Sequence, residues 1–278
     1  MYKYFPPARI DVLKNNLICF SNPKNLNDPF EFHLLIDLNS FKRQIEASLI
    51  TTAVIEKLAP EHKKFYDNLS NSDKKIFIEN IIKVSGMIFS ENEEYISAII
   101  QESYNTFNEK FIDNVRVFCV SAIPDNLLMW GHYAASHTGF VLELDVDNNF
   151  FHQRRNPKDE FGFLRKVNYQ ENIVTIDPLT EKPVEHFLVK SKDWEYEKEW
   201  RMLMLENSSD RKTVINDTTY DLFKFPKEII KSVIIGCRAT EALERELIET
   251  LSNKEYSHVT IYKCERSNEK FKLNILRL

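Results

Sequence analysis

The spacing of hydrophobic and polar positions changes several times along the chain, and each change predicts an element. Tyr2-Lys3-Tyr4-Phe5 alternates bulky with polar as a short strand does, and Pro6-Pro7 ends it. Ala8–Asn15 fits a helix with Ile10, Val12 and Leu13 inward, and Leu17–Ser21 fits a second strand. The stretch from Asn22 to Glu31 is too crowded with Asn, Asp and Pro to be anything but a loop. From about residue 40 to 112 the period becomes helical. Phe41, Ile45, Leu49 and Ile55 form one stripe, Ile76, Ile81, Val84 and Ile88 a second behind a Ser72 cap, and Ile96, Ile99, Ile100 and Phe107 a third. This predicts a helical insert within one domain spanning residues 1–278.

The segment Val115–Asp145 is the centre of the chain. An apolar run, Val115–Ser121, suits a buried strand, and Thr138–Asp145 suits another. Between them Leu127–Ala135 predicts a short helix with Leu127, Trp130 and Ala134 on one face, Tyr133 beside Trp130, and Gly139 as its terminator. Asn148–Asn172 reads as polar loop and Glu185–Lys192 as a helical turn. A strand begins near Tyr196, Val233–Gly236 is a short buried strand, and Ala239–Leu251 is an amphipathic helix. Val259–Cys264 and Phe271–Leu276 close the chain as an antiparallel pair. The order predicts an α+β fold with a mixed, largely antiparallel sheet and flanking helices.

Composition narrows the chemistry. With 43% hydrophobic and 28% charged residues the chain reads as globular, no apolar run approaches a membrane span, and MYKYFPPARID lacks a signal-like core, so the expected compartment is the cytosol. A net charge of −5 gives no general grip on nucleic acid; the basic cluster of Arg154, Arg155, Lys158, Arg165 and Lys166 reads as a solvated loop. Cys19, Cys119, Cys237 and Cys264 are scattered through apolar runs, so they read as reduced thiols, and no metal site is expected. Only five glycines occur, and none forms a dinucleotide fingerprint, a P-loop or a nucleophile elbow. A nucleotide would have to be held by side chains.

Two groups of residues carry candidate chemistry. If the chain is extended from Tyr196, then Glu197, Glu199 and Arg201 share one strand face, where they would shift one another's pKa values. The plain alternative is a solvent-facing salt bridge worth about 0–1 kcal/mol. Trp130 and Tyr133 could wall a ring-binding pocket or simply fill the core. Ser121, at the end of a strand, would need a neighbouring base to act as a nucleophile.

Taken together, Tyr2-Lys3-Tyr4, FSNPKNLNDPFE (Phe20–Glu31), FCVSAIPDNLLMWGHYAASHTGFVLELD (Phe118–Asp145) and WEYEKEWR (Trp194–Arg201) resemble the domain-of-unknown-function 2971 family of bacterial proteins. That resemblance implies a setting among phage-defence or toxin-like genes and names no activity. A more distant resemblance is to the ADP-ribosyltransferase fold. It sets Tyr2-Lys3-Tyr4 in the first motif, Ser121 with Tyr133 in the second, and Glu197-Lys198-Glu199 in the third, with Lys3 standing where that fold has His or Arg. It implies NAD as substrate, Glu199 with its partner Glu197 as catalytic carboxylates, and Lys3, Tyr4, Ser121, Trp130, Tyr133 and Arg201 around the ligand.

Three functions follow as expectations. One is an NAD-consuming enzyme that passes ADP-ribose to water or to a macromolecular target. The second is a non-catalytic sensor module using the same pocket. The third is a nuclease built on Asp28, Glu143, Asp145 and His132.

Overall fold

The computed structural model describes residues 1–31, 35–36, 55–56, 60–77, 98, 102, 105–106, 109–173, 175–176 and 183–278. The chain divides into two compact units, one of Met1–His33, Phe111–Ile173 and Val184–Leu278, the other of Leu34–Lys110 and Val174–Pro183. The strands in chain order are β1 (Tyr2–Phe5), β2 (Leu17–Phe20), β3 (Leu35–Ile36), β4 (Val115–Ser121), β5 (Phe140–Leu144), β6 (Leu164–Lys166), β7 (Asn168–Gln170), β8 (Thr175–Ile176), β9 (Val189–Ser191), β10 (Glu199–Leu205), β11 (Arg211–Ile215), β12 (Thr218–Lys224), β13 (Ile230–Ile235), β14 (Thr260–Arg266) and β15 (Leu273–Arg277).

The first unit is built on an eight-stranded sheet in the order β15-β14-β13-β5-β1-β4-β10-β6. Within this sheet only β13 and β14 run parallel, because the helix Glu241–Leu251 connects them, and its other pairings are antiparallel; β7 and β9 form a separate parallel pair. The fold is therefore α+β with mixed, mostly antiparallel sheets. A second sheet, β11-β12-β2, joins the first through a bridge between Ser21 and Val117 and through Phe20, stacked on Phe118 with centroids 5.0 Å apart. Phe20, Phe118, Phe140, Phe151, Leu142 and Met202 fill the main core.

Two elements bring the first strand into the middle of the sheet. Tyr2 to Phe5 pair residue by residue with Glu143 to Phe140, and Tyr2 also faces Ser121 on β4. Gly139 allows this approach: a Cβ there would collide with the Phe5 carbonyl. The helix Leu127–Tyr133 is capped by Asn126, whose side chain accepts from the Leu128 and Met129 amides. Its end is not made by glycine. Ala135, Ser136 and His137 turn the chain instead, with φ of 46°, 56° and 68°. Its buried face is Met129, Trp130 and Ala134, whereas Leu127 is exposed, contrary to the sequence-based expectation. Short half-exposed strands depart from the hydrophobic pattern. The expected loop between residues 148 and 172 contains β6 and β7, and the β11–β12 hairpin carries no apolar alternation. Among the described residues no helix is long and apolar enough to cross a membrane.

In the second unit β3 and β8 run parallel, and the helix Pro60–Asp67 precedes a helical stretch at 71–77. Ser70, not Ser72, caps that stretch, its hydroxyl accepting from the Asp73 amide. The remaining stripes expected of the insert, from Phe41 to Thr52 and from Ile81 to Phe107, lie almost wholly outside the described residues.

Candidate functional site

The strand expected from Tyr196 starts later than its composition suggests. Lys192–Glu197 is a 3-10 helix whose N-cap Ser191 accepts from the Asp193 amide; Lys198 ends it in a left-handed conformation, φ 46°, and β10 begins at Glu199. Glu197 and Glu199 are thus not neighbours along one strand face. The turn at Lys198 nevertheless brings both carboxylates to one place, and neither meets solvent: Glu197 and Glu199 are 2% and 5% exposed, and Arg201 is 0%. The solvent-facing salt bridge is ruled out by that burial.

What lies there is a five-member charge network. Lys190 on β9 places its ammonium 2.6 Å from Glu197 Oε2, 2.9 Å from Glu31 Oε1 and 3.2 Å from Glu199 Oε2. Arg201 donates through Nε to Glu199 Oε1 (2.8 Å), through Nη2 to Glu199 Oε2 (3.0 Å) and Glu31 Oε1 (2.6 Å), and through Nη1 to the Phe187 carbonyl (2.9 Å). A bidentate Arg–carboxylate pair of this kind is both strong and directional. Three carboxyl groups meet two cations, so with all three ionised the network carries one excess negative charge.

Hydroxyls complete the arrangement. Tyr133 donates to Glu197 Oε1 at 2.6 Å, and the Tyr169 hydroxyl accepts from the Glu199 amide at 2.8 Å. Ser121 is buried and donates to the Glu197 carbonyl at 2.6 Å while accepting from the Ile123 amide at 3.1 Å. Its hydroxyl is a backbone clamp on the turn that presents Glu197. Lys3 donates to the Cys119 carbonyl at 2.8 Å and sits over the Phe118 ring.

The two glutamates titrate in opposite directions. Burial pushes the Glu197 carboxyl up; Lys190 opposes this, Glu199 adds to it, and the net shift is upward. Burial also pushes Glu199 up, but the Arg201 guanidinium and the Lys190 ammonium overcome it and hold the carboxyl at about 2. Burial, with Glu197 beside it, raises the Tyr133 phenol. Glu199 is accordingly a fixed anion, and Glu197 is the carboxyl suited to moving a proton.

These residues line a cavity of about 270 Å³. Of the residues singled out in the sequence, Lys3, Tyr4, Ser121, Tyr133, Glu197 and Glu199 line it; Trp130 and Arg201 do not. Trp130 is wholly buried, donates Nε1 to the Pro124 carbonyl at 2.8 Å and packs edge-on against Tyr4, which makes it core. Arg201 supports the carboxylates from behind. Tyr4 presents part of its ring, while its hydroxyl donates to the Ile123 carbonyl. The acidic and His residues considered for a nuclease do not gather: Glu143 accepts from Ser232, Asp28 closes a turn on Phe30, and His132 lies among Trp194, Tyr196 and Tyr133. Among the described residues no group of His, Cys, Asp and Glu is placed to hold a metal ion.

Sequence reasoning missed Glu31, Lys190 and Tyr169. Glu31 ends the motif Phe20–Glu31, and Lys190 is the one charge closing the apolar run Phe187-Leu188-Val189, a signal for a buried, paired ammonium. Tyr169 carried no comparable signal.

Residues 129–202 match the family described as protein of unknown function (DUF2971). The match runs from Met129 through Tyr133, Lys190, Glu197 and Glu199 to Met202, and so takes in most of the buried network. The DUF2971 description carries no activity. No curated protein and no solved structure matches the chain.

Proposed function

We propose that this chain cleaves the bond between nicotinamide and ribose in NAD, passing ADP-ribose to water or to a macromolecular acceptor. One observation carries the reading: Lys3, Tyr133, Glu197 and Glu199, which come from three separate stretches of sequence, line a single cavity. At about 270 Å³ it lies at the small end of ligand pockets. That suits the nicotinamide and its ribose, with the adenylate half outside.

The chemistry asked of the site is modest. The C1′–N bond breaks with both electrons leaving on neutral nicotinamide, so positive charge develops on the ribose at C1′ and the ring oxygen. Glu199, a fixed anion in a water-poor setting, and the excess negative charge of the network stabilise that state. Water then attacks C1′, and its proton passes to Glu197, whose raised pKa fits it to receive one. Lys3 and Tyr133 orient the ligand. Incubating the purified protein with NAD and measuring released nicotinamide tests the reading. Release that Glu197→Gln abolishes is expected, and no release from the wild type, with or without cell extract as a source of acceptors, overturns it.

A second reading has its own support. Each oxygen of Glu197 and Glu199 already has a cation or a hydroxyl as partner, as suits a rigid binding site that performs no reaction. Stoichiometric NAD binding without nicotinamide release would favour it.

A further inference from the structure

Among the three acidic side chains of the network, Glu31 is the one left incomplete. Its side chain is 2% exposed and it lines the cavity. Oε1 takes both cations, Arg201 Nη2 at 2.6 Å and Lys190 Nζ at 2.9 Å. Oε2 is shut off from solvent and has no hydrogen-bond partner among the described residues. A buried carboxylate oxygen left without a donor is costly, and native structures rarely keep one without a use. The four oxygens of Glu197 and Glu199, by contrast, are all engaged.

The local chain is built to hold Glu31 in this position. Pro23–Asn25 forms a 3-10 turn capped by Asn22, and Asp28 closes the next turn by accepting from the Phe30 amide at 2.9 Å. The Glu31 amide then donates to the Asp28 carbonyl at 3.1 Å. Asn27 from the same loop meets the Tyr133 hydroxyl at 3.3 Å, so the loop and the helix Leu127–Tyr133 close on the cavity from two sides. Two cations fix one oxygen of Glu31 and leave the other without a partner among the described residues.

We propose that Glu31 is a ligand-binding residue of this cavity, its Oε2 accepting a hydrogen bond from a hydroxyl of the ribosyl group. The identity of the donor rests on the nicotinamide–ribose reading; the need for a donor rests on Glu31 alone. An anionic acceptor facing the cavity repels phosphate and carboxylate, and Lys190 and Arg201 are not available to reverse this, since both are committed to the network. Within this cavity the ligand must therefore present O–H or N–H groups at Glu31, with any phosphate held elsewhere.

Calorimetric titration of the full chain with NAD, ADP-ribose and free nicotinamide tests this, alongside two NAD analogues in which hydrogen replaces the 2′- or the 3′-hydroxyl of the nicotinamide ribose. Glu31→Gln is expected to weaken NAD and ADP-ribose binding about 10- to 100-fold, the loss of one hydrogen bond to a charged acceptor, and to leave nicotinamide binding unchanged. One of the two analogues should lose the same factor on the wild type and lose nothing further on Glu31→Gln. Wild-type affinity in Glu31→Gln overturns the proposal, as do two analogues that both bind the wild type as NAD does. Should circular dichroism show Glu31→Gln unfolded, the analogues on the wild type decide alone by the same criterion. A wild type that binds neither NAD nor ADP-ribose overturns the ribosyl assignment together with the reading it rests on. Binding without nicotinamide release overturns only the reaction, and the affinity ratios still decide Glu31.

Discussion

Tyr133 donates its hydroxyl to Glu197 at 2.6 Å and so ties the end of a helix to the turn that precedes β10. The contact joins two stretches that the sequence singled out separately, and it bears on proton chemistry. A donor to a carboxylate favours its ionised form, so this bond holds the raised Glu197 pKa lower than burial alone would. In Tyr133→Phe the Glu197 carboxyl should rise further, and the acidic limb of nicotinamide release against pH should move to higher pH. Stability should fall by about 1–2 kcal/mol, read from urea denaturation.

The two glutamates should respond differently to amidation. Glu199→Gln deprives fully buried Arg201 of its bidentate partner, and a buried pair broken on one side costs about 3–5 kcal/mol. Glu197→Gln leaves Lys190 with Glu31 and Glu199, and removes a group for which ionisation is already unfavourable, so its cost should stay near 1 kcal/mol or below. Melting temperatures compare the two directly. Loss of activity in a folded protein is thus diagnostic at Glu197 and ambiguous at Glu199.

Acid should act through Glu199. Its folded pKa, about 2, lies below the ordinary value of 4.5, so the stability it contributes is present above about 4.5 and is lost as pH falls toward 2. Glu197 has the opposite sign: its raised folded pKa makes ionisation above 4.5 a cost to the fold. Urea midpoints between pH 5 and pH 2 should therefore fall steeply in the wild type and less steeply in Glu199→Gln. Equal slopes would contradict the assignment of the low pKa.

Trp130 should behave as core. Trp130→Ala should cost about 3–5 kcal/mol, while Trp130→Phe, where folded, should bind NAD as the wild type does. Titration of the Phe variant separates packing from ligand contact, and a tenfold loss of affinity would return Trp130 to the site.

The fold was legible where strands are buried, because β1, β2, β4, β5, β13 and the closing pair each carry apolar residues at strand spacing. It was illegible at β6, β7 and β9, which are three residues long and held by neighbours far away in sequence. The β11–β12 hairpin had a readable turn in Asn216-Asp217, with φ of 47° and 60°, but β11 is largely exposed and neither strand carries the apolar alternation that would have called attention to it. At the site, Glu197 and Glu199 were found as charges sharing one strand face with Arg201, on the premise of a continuous strand that the left-handed Lys198 breaks. Lys190 carried a signal of burial in the apolar run before it, but neither it nor Glu31 names its partner, because the pair that joins them is long-range in sequence.

The position of β1 sets the order in which this molecule can assemble. β1 lies between β5 and β4, so its partners, Ser121 and Phe140 to Glu143, follow it in the sequence by more than a hundred residues. Until Glu143 has been synthesised, Tyr2–Phe5 lacks its complete β5 ladder. Contacts of such sequence separation slow folding, since a long loop must close before they form. The cavity is later still: it needs Lys190, Glu197 and Glu199, and so cannot exist in a nascent chain before Glu199 has been added.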